Sequence, residues 1–213
     1  MKRRTTGYIA FLLLTLIAMP AFAAGPYVGG NVGAVLLSTS SFAATDNAAD
    51  GGELKNKTGF GLGLVGGFDF GTYRLEGEFA YRKNNNKEVT FTGDPTEPLT
   101  GDVSSMALMV NGYYDFRTVS PTFVPYLGAG IGGARVKGKM IHQDSSTIVS
   151  DSDTVFAYQF AAGIGYVVSK ELTLDLGYKY FATAKPEFQD PDGKKIKGEY
   201  ASHNIYLGAR FGF

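Results

Sequence analysis

Nine charged residues could act together if the chain brings them to one side: Asp69, Arg74, Glu76, Glu78, Arg82, Asp115, Asp175, Lys179 and Arg210. Carboxylates mixed with Arg and Lys can pair as ions, and pairs lining a passage could gate it. Ser202-His203-Asn204 holds the residue types of a nucleophile and its base. Two groups of acids, Asp46, Asp50 and Glu53, and Asp144, Asp151 and Asp153, hold the oxygens that a Ca²⁺ ion takes. Asn56-Lys57-Thr58 matches a glycosylation sequon, a pattern short enough to recur by accident. Which of these can work depends on the elements that carry them.

Composition removes several classes first. The chain has 213 residues with 20 Lys+Arg against 20 Asp+Glu, so no excess of positive charge points to nucleic acid. With no Cys, neither a disulfide framework nor a thiolate metal site can form, and two His cannot build a His-rich centre. No cofactor is expected. Gly is abundant at 29 residues, and the aromatic share of 14% is all Tyr and Phe. That balance, with no long apolar run beyond the N-terminus, suits a β-barrel better than a helical protein.

The elements are read from period two. In the last stretch, Phe213, Phe211, Ala209, Leu207 and Ile205 alternate with Gly212, Arg210, Gly208, Tyr206 and Asn204. Side chains alternate faces along a strand, so one face is apolar and the other small or polar. The same alternation predicts strands over 27–36, 59–70, 73–83, 103–116, 124–137, 155–167, 172–181 and 200–213. The links 71–72, 117–123 and 168–171 are short. The links 37–58, 84–102, 138–154 and 182–199 are long and polar. About 10 residues at ~3.3 Å each, tilted ~40°, rise roughly 25 Å, the height of a membrane barrel's apolar band. Aromatics gather at both ends of the apolar face. Phe60, Tyr81, Phe156, Tyr158, Tyr178 and Tyr180 lie toward the long links; Phe68, Phe70, Tyr73, Tyr114, Phe116, Tyr166, Phe211 and Phe213 lie toward the short ones. They read as two interfacial girdles. A soluble lipocalin-like barrel would turn its apolar face inward and show Lys, Glu and Thr to water. Here the second face is mostly Gly, Ala, Tyr and Asn, which suits the crowded lumen of eight strands.

Parity then sorts the chemistry. The nine charges share the inward face. Arg74, Lys179 and Arg210 are expected to neutralise Glu76, Glu78, Asp115 and Asp175, because an unpaired buried charge costs several kcal/mol. His203 falls on the lipid side while Ser202 and Asn204 point inward, so Ser202 and His203 cannot meet as nucleophile and base. Asp46-x-Ala48-x-Asp50-Gly51 lacks an oxygen ligand at its third position, so solvated loop charge is the better reading of both acidic groups. No metal is expected.

Residues 1–23 read as a cleaved secretory signal, and 24–213 as one barrel domain. Lys2, Arg3 and Arg4 are the basic region, 8–19 the short apolar core, and Pro20-Ala21-Phe22-Ala23 the cleavage pattern, with Ala24 as an alternative end.

The mature chain resembles the opacity-protein and OmpA-type small surface-antigen barrels of Gram-negative outer membranes. The resemblance is carried by Pro125-Tyr126-Leu127-Gly128-Ala129-Gly130-Ile131-Gly132, by Leu174-Asp175-Leu176-Gly177-Tyr178-Lys179-Tyr180, and by 205–213. It implies an all-β, eight-stranded antiparallel up-and-down transmembrane barrel with short periplasmic turns, four long extracellular loops and both termini in the periplasm. It also implies that Tyr206, Phe211 and Phe213 form a C-terminal signal read by the barrel-assembly machinery, and that outer-membrane lipid and lipopolysaccharide surround the wall. Full-length OmpA proteins add a peptidoglycan-binding domain after the barrel; none follows Phe213 here, so that activity is not expected. The function implied is that of a structural surface antigen or adhesin that reaches host or extracellular ligands through its loops, without catalysis. One alternative is a small low-conductance pore gated by the luminal ion pairs. Another is a lipid A-modifying enzyme, which the resemblance disfavours, because the Ser/His pair of outer-membrane deacylases is spaced by one residue and this one is not.

Overall fold

Apolar residues on alternate positions can be buried on one face only if the sheet stacks on another layer or curls and gives that face to lipid. This chain curls. The computed structural model describes residues 25–38, 40–44, 51–91, 97–98, 100–141, 147–189 and 195–213. The expected signal segment and the acids Asp46, Asp50 and Asp144 lie outside those residues, as does the side chain of Glu53. The described strands are β1 (Gly25–Leu37), β2 (Ser40–Ala44), β3 (Gly51–Asn56), β4 (Gly59–Asp69), β5 (Tyr73–Phe91), β6 (Glu97–Pro98), β7 (Thr100–Asp115), β8 (Phe123–Ile141), β9 (Thr147–Val167), β10 (Leu172–Thr183), β11 (Glu187–Gln189), β12 (Lys195–Gly198) and β13 (Ala201–Gly212).

Eight of them form the barrel. In chain order β1, β4, β5, β7, β8, β9, β10 and β13 pair antiparallel with their neighbours. The last strand closes on the first, from Tyr27↔Gly212 to Leu37↔Ser202. Closure leaves no sheet edge at membrane depth, which lipid requires because it offers no hydrogen bonds. Parity is as the alternation predicts. Leu62, Leu174 and Leu207 are exposed on the outer wall, as are Leu64, Leu108, Val110 and Ile131. So large a continuous apolar surface is unsuited to water and suited to acyl chains. At the short-turn end it finishes in packed ring pairs, including Tyr73 edge-on to Tyr114 and Phe123 tilted against Tyr166.

The turns at that end have simple causes. Gly71 stands at φ 91°, a conformation that favours glycine, and its N–H donates to Asp69 Oδ1 at 2.7 Å. In the next two turns a serine hydroxyl replaces a strand partner. Ser120 Oγ accepts from the amides of Thr122 and Phe123, and Ser169 Oγ from those of Glu171 and Leu172.

At the other end, much of what the polar composition suggests as loop is strand. β5 continues to Phe91, β8 to Ile141, and β9 begins at Thr147. The ladder between β8 and β9 is kept out to Ile141↔Thr147. β2, β3, β11 and β12 add to it as a second sheet in the order β11-β12-β2-β3-β5, and β6 pairs β5 on its other edge. Alternation reports which face is buried, and beyond the bilayer that signal fades. Backbone pairing needs no apolar face, so the strands run on.

Candidate functional site

The lumen is filled in layers. Nearest the short turns, Arg74 Nε donates to both oxygens of Asp115 at 2.9 and 3.0 Å, and its guanidinium lies over the rings of Tyr113 and Tyr126. Arg210 grips Asp175 through two nitrogens at 2.7 and 2.8 Å. Asp69 sits apart from these, at the rim, paired with Arg117 at 2.5 Å. Arg117, in the turn after β7, also reaches Asp115 at 3.3 Å.

The middle layer holds two carboxylates with different partners. Lys179 Nζ donates to Glu78 Oε1 at 2.6 Å, while Asn111 and Gln159 donate to Oε2 at 2.9 and 2.7 Å. Glu76 has neutral donors instead: the hydroxyls of Tyr27 and Tyr113 and the amide of Asn111. Lys179, Arg74 and Arg210 thus take Glu78, Asp115 and Asp175 respectively, Asp115 sharing Arg117 as well, and the fourth acid, Glu76, is held by hydroxyls and an amide. Arg82 has no carboxylate among its hydrogen-bond partners in the described residues. It stacks on Phe181 at 3.9 Å from the ring centre and donates to Asn204 Oδ1. Tyr206 faces this layer, its hydroxyl 2.9 Å from that of Tyr126, whereas Phe211 and Phe213 lie outside on the wall. Tyr27, Asn111, Tyr113, Tyr126 and Gln159 were not singled out in the sequence. Their inward parity was legible; their partners, on strands far away in the chain, were not.

Above Arg82 the lumen turns apolar. Val103, Ala107, Met109, Ala134, Val136, Ala157, Phe181 and Tyr200 pack into one buried cluster, and Phe188 of β11 leans on it. The hairpin of β11 and β12 therefore lies over the mouth. Lower down, two cavities of about 20 Å³ each border Arg74 and Arg82, room for about one water molecule apiece. A filled lumen of this kind should not conduct. Planar-bilayer recordings are expected to show a flat baseline for the native barrel and leak only for Phe181→Ala, whose ring is fully buried. Sustained conductance steps from the native protein would overturn the closed lumen.

Ser202 and His203 stay on opposite faces. Ser202 is buried beside Asn204, whose amide donates to its hydroxyl at 3.2 Å. His203 is outside, with Nδ1 2.6 Å from the Tyr178 hydroxyl. No base reaches the serine through this pair. Of the acidic groups in the long links, Asp153 is described in use: its Oδ2 accepts the amide of Glu187 and ties β9 to β11. No group of three or more candidate metal ligands occurs among the described residues.

What remains is the surface beyond the bilayer. β9 has 21 residues, where about ten suffice to cross the apolar band. β5, β8 and β9 thus carry a paired sheet well outside the bilayer.

Over residues 9–213 the chain matches the family described as the outer membrane protein beta-barrel domain. It is 29% identical over 186 residues to the outer membrane protein PagN of Salmonella typhimurium, covering 76% of this chain and 75% of that one. A protein named as an adhesin in Rickettsia conorii, RC1281, is 31% identical over 118 residues, half of this chain and 47% of its own length. The opacity protein opA58 of Neisseria gonorrhoeae is 25% identical over 191 residues, 69% of each chain. Among solved structures, the outer membrane protein OprG of Pseudomonas aeruginosa superposes with a TM-score of 0.65 at 16% identity, over 88% of this chain and 96% of that one.

Proposed function

The chain belongs to the outer membrane protein beta-barrel family and so resides in the outer membrane of a Gram-negative cell; on that footing we propose that it is a surface antigen and adhesin whose barrel is a rigid mount. The observation that carries this reading is the continuation of β5, β8 and β9 past the bilayer into a sheet joined by β2, β3, β11 and β12. A mount of this stiffness holds the described strand ends in fixed relation, which lowers the ordering cost when a partner binds the surface they carry. An adhesin and an opacity protein among the relatives are consistent with it. The luminal pairs then serve stability, and the partner is an extracellular or host ligand. Phe211 and Phe213, outward on the closing strand, are the residues we assign to recognition by the assembly machinery.

The test replaces only the tips, residues 92–96 and 190–194, by Asn-Gly turns. The flanking strands stay, because Pro186 and Phe188 belong to the packed mouth. Displayed on a non-adherent Gram-negative strain, the native protein is expected to raise attachment to cultured cells, and the tip variants to lose it by tenfold or more. Both should keep the heat-dependent gel mobility of a folded barrel. Equal attachment by native and tip-replaced proteins would reject the adhesin reading.

A further inference from the structure

The upper lumen leaves one positive charge without a counterpart. Arg82 is 3% exposed, and its Nη1 has no hydrogen-bond partner among the described residues. The side chain is nevertheless fixed: Nε donates to Asn204 Oδ1 at 3.3 Å, and the guanidinium stacks on Phe181. A buried donor left without an acceptor is uncommon, and on a charged group it costs more than on a neutral one. Arg74 also has an idle nitrogen, Nη2, but Asp115 meets its charge.

Counting charge by layer leads to the same place. The cavity beside Arg82 is also bordered by Lys179 and Glu78, two cations against one acid. Nearer the short turns, Arg74 and Arg210 stand with Glu76, Asp115 and Asp175, two cations against three acids. Arg117 and Asp69 balance each other at the rim. The described lumen is therefore neutral as a whole but positive around Arg82. Glu76 cannot correct this. It shares the inward face of β5 with Arg82, six residues and so about 20 Å along the strand. Glu78 is already committed, one oxygen to Lys179 and the other to Asn111 and Gln159.

We infer that the cavity beside Arg82 holds one small monovalent anion, a halide such as chloride, which accepts from Arg82 Nη1 and Lys179 Nζ. An ammonium has three N–H groups, and Lys179 gives one to Glu78, so donors remain for the cavity it borders. A water molecule could accept the same hydrogen bonds but would leave the positive charge uncompensated. Directly above lie Val103, Met109 and Phe181, an apolar cluster in which a bare charge is expensive. Volume then selects among anions. A space of about 20 Å³ admits one water-sized body, so a halide fits and sulfate or phosphate does not. A guanidinium is more weakly hydrated than an ammonium, which suits it to an ion that gives up its water readily. The site is a structural one inside the barrel and is independent of adhesion.

Two measurements on the full barrel test the site. Crystals of native protein refolded in sodium bromide are expected to show an anomalous bromine peak within about 3.5 Å of Arg82 Nη1. The folding constant, from urea unfolding in lipid vesicles, should rise about tenfold for each tenfold increase in chloride above its dissociation constant. Sulfate replaces chloride at constant ionic strength, so that screening does not change. Arg82→Gln should abolish the chloride dependence, and Arg82→Lys, which keeps the charge, should retain most of it. The bromide experiment needs no variant and decides the matter even if Arg82→Gln does not fold. Three results would overturn the site: a cavity holding only water in the bromide crystals, a native folding constant indifferent to chloride, or an equal chloride dependence in native and Arg82→Gln barrels.

Discussion

Glu78→Ala should destabilise the barrel by about 3–5 kcal/mol, the usual cost of leaving a buried charge without its partner. Glu78 and Lys179 are 3% and 4% exposed, and their contact is 2.6 Å. Removing the carboxylate strands the ammonium beneath Arg82 and takes away the acceptor shared by Asn111 and Gln159. Lys179 cannot reach bulk water from mid-lumen, so little of the loss is recovered. The double variant Glu78→Gln/Lys179→Met removes both charges and keeps the volume. It should cost less than Glu78→Ala alone, with a coupling energy above about 2 kcal/mol. Equilibrium urea unfolding in lipid vesicles of the native barrel, Glu78→Gln, Lys179→Met and the double variant, followed by tyrosine circular dichroism and gel mobility, measures all the corners of the cycle. A double variant no more stable than the single would mean that the pair is incidental to the lumen's stability.

Gly177→Val should be at least as harmful, for a steric reason. A Cβ at Gly177 would stand 2.4 Å from Tyr206 Cζ and 2.7 Å from the Tyr126 hydroxyl. Tyr126 also covers Gly163, where a Cβ would meet its hydroxyl at 2.4 Å. The tyrosine rings lie across the glycines of neighbouring strands, and neither ring can move without breaking the Tyr126–Tyr206 hydrogen bond. Overpacking of this kind costs about 1–3 kcal/mol and often more where nothing gives. Gly177→Val is therefore expected to lower stability by about 3 kcal/mol or to block assembly, and Tyr206→Ala in the same chain to restore much of it. Gly66→Val and Gly112→Val are the controls. Both positions face outward with nothing within 4 Å of a Cβ, and both should behave like the native protein. Equal damage from Gly177→Val and Gly112→Val would show that the loss comes from glycine's backbone freedom rather than from the ring above it.

These two cases show where sequence reading stops. That Glu78, Lys179 and Tyr206 point inward follows from counting residues along their strands. That Lys179 neutralises Glu78 while Glu76 is left to Tyr27, Tyr113 and Asn111 does not follow. Glu78 lies on β5 and Lys179 on β10, strands on different sides of the barrel, and which layer each occupies depends on the stagger of every pairing between them. The same stagger leaves Arg82 against Phe181 and moves Asp69 to the rim with Arg117, a turn residue that alternation says nothing about. The external sheet was hidden for another reason: its strands are short and set among Gly, Ser, Asn, Lys and Glu, so their composition reads as loop.

The chain's own order of residues determined the eight crossings, their inward and outward faces, the girdles and the compartment, because each depends only on period two and on what lipid tolerates. The pairing of luminal charges, the tyrosines laid over glycines and the apolar stopper under the mouth were decided only when the sheet closed. Each joins side chains from strands distant in the chain, and only the register of a complete ring of hydrogen bonds sets which of them share a level.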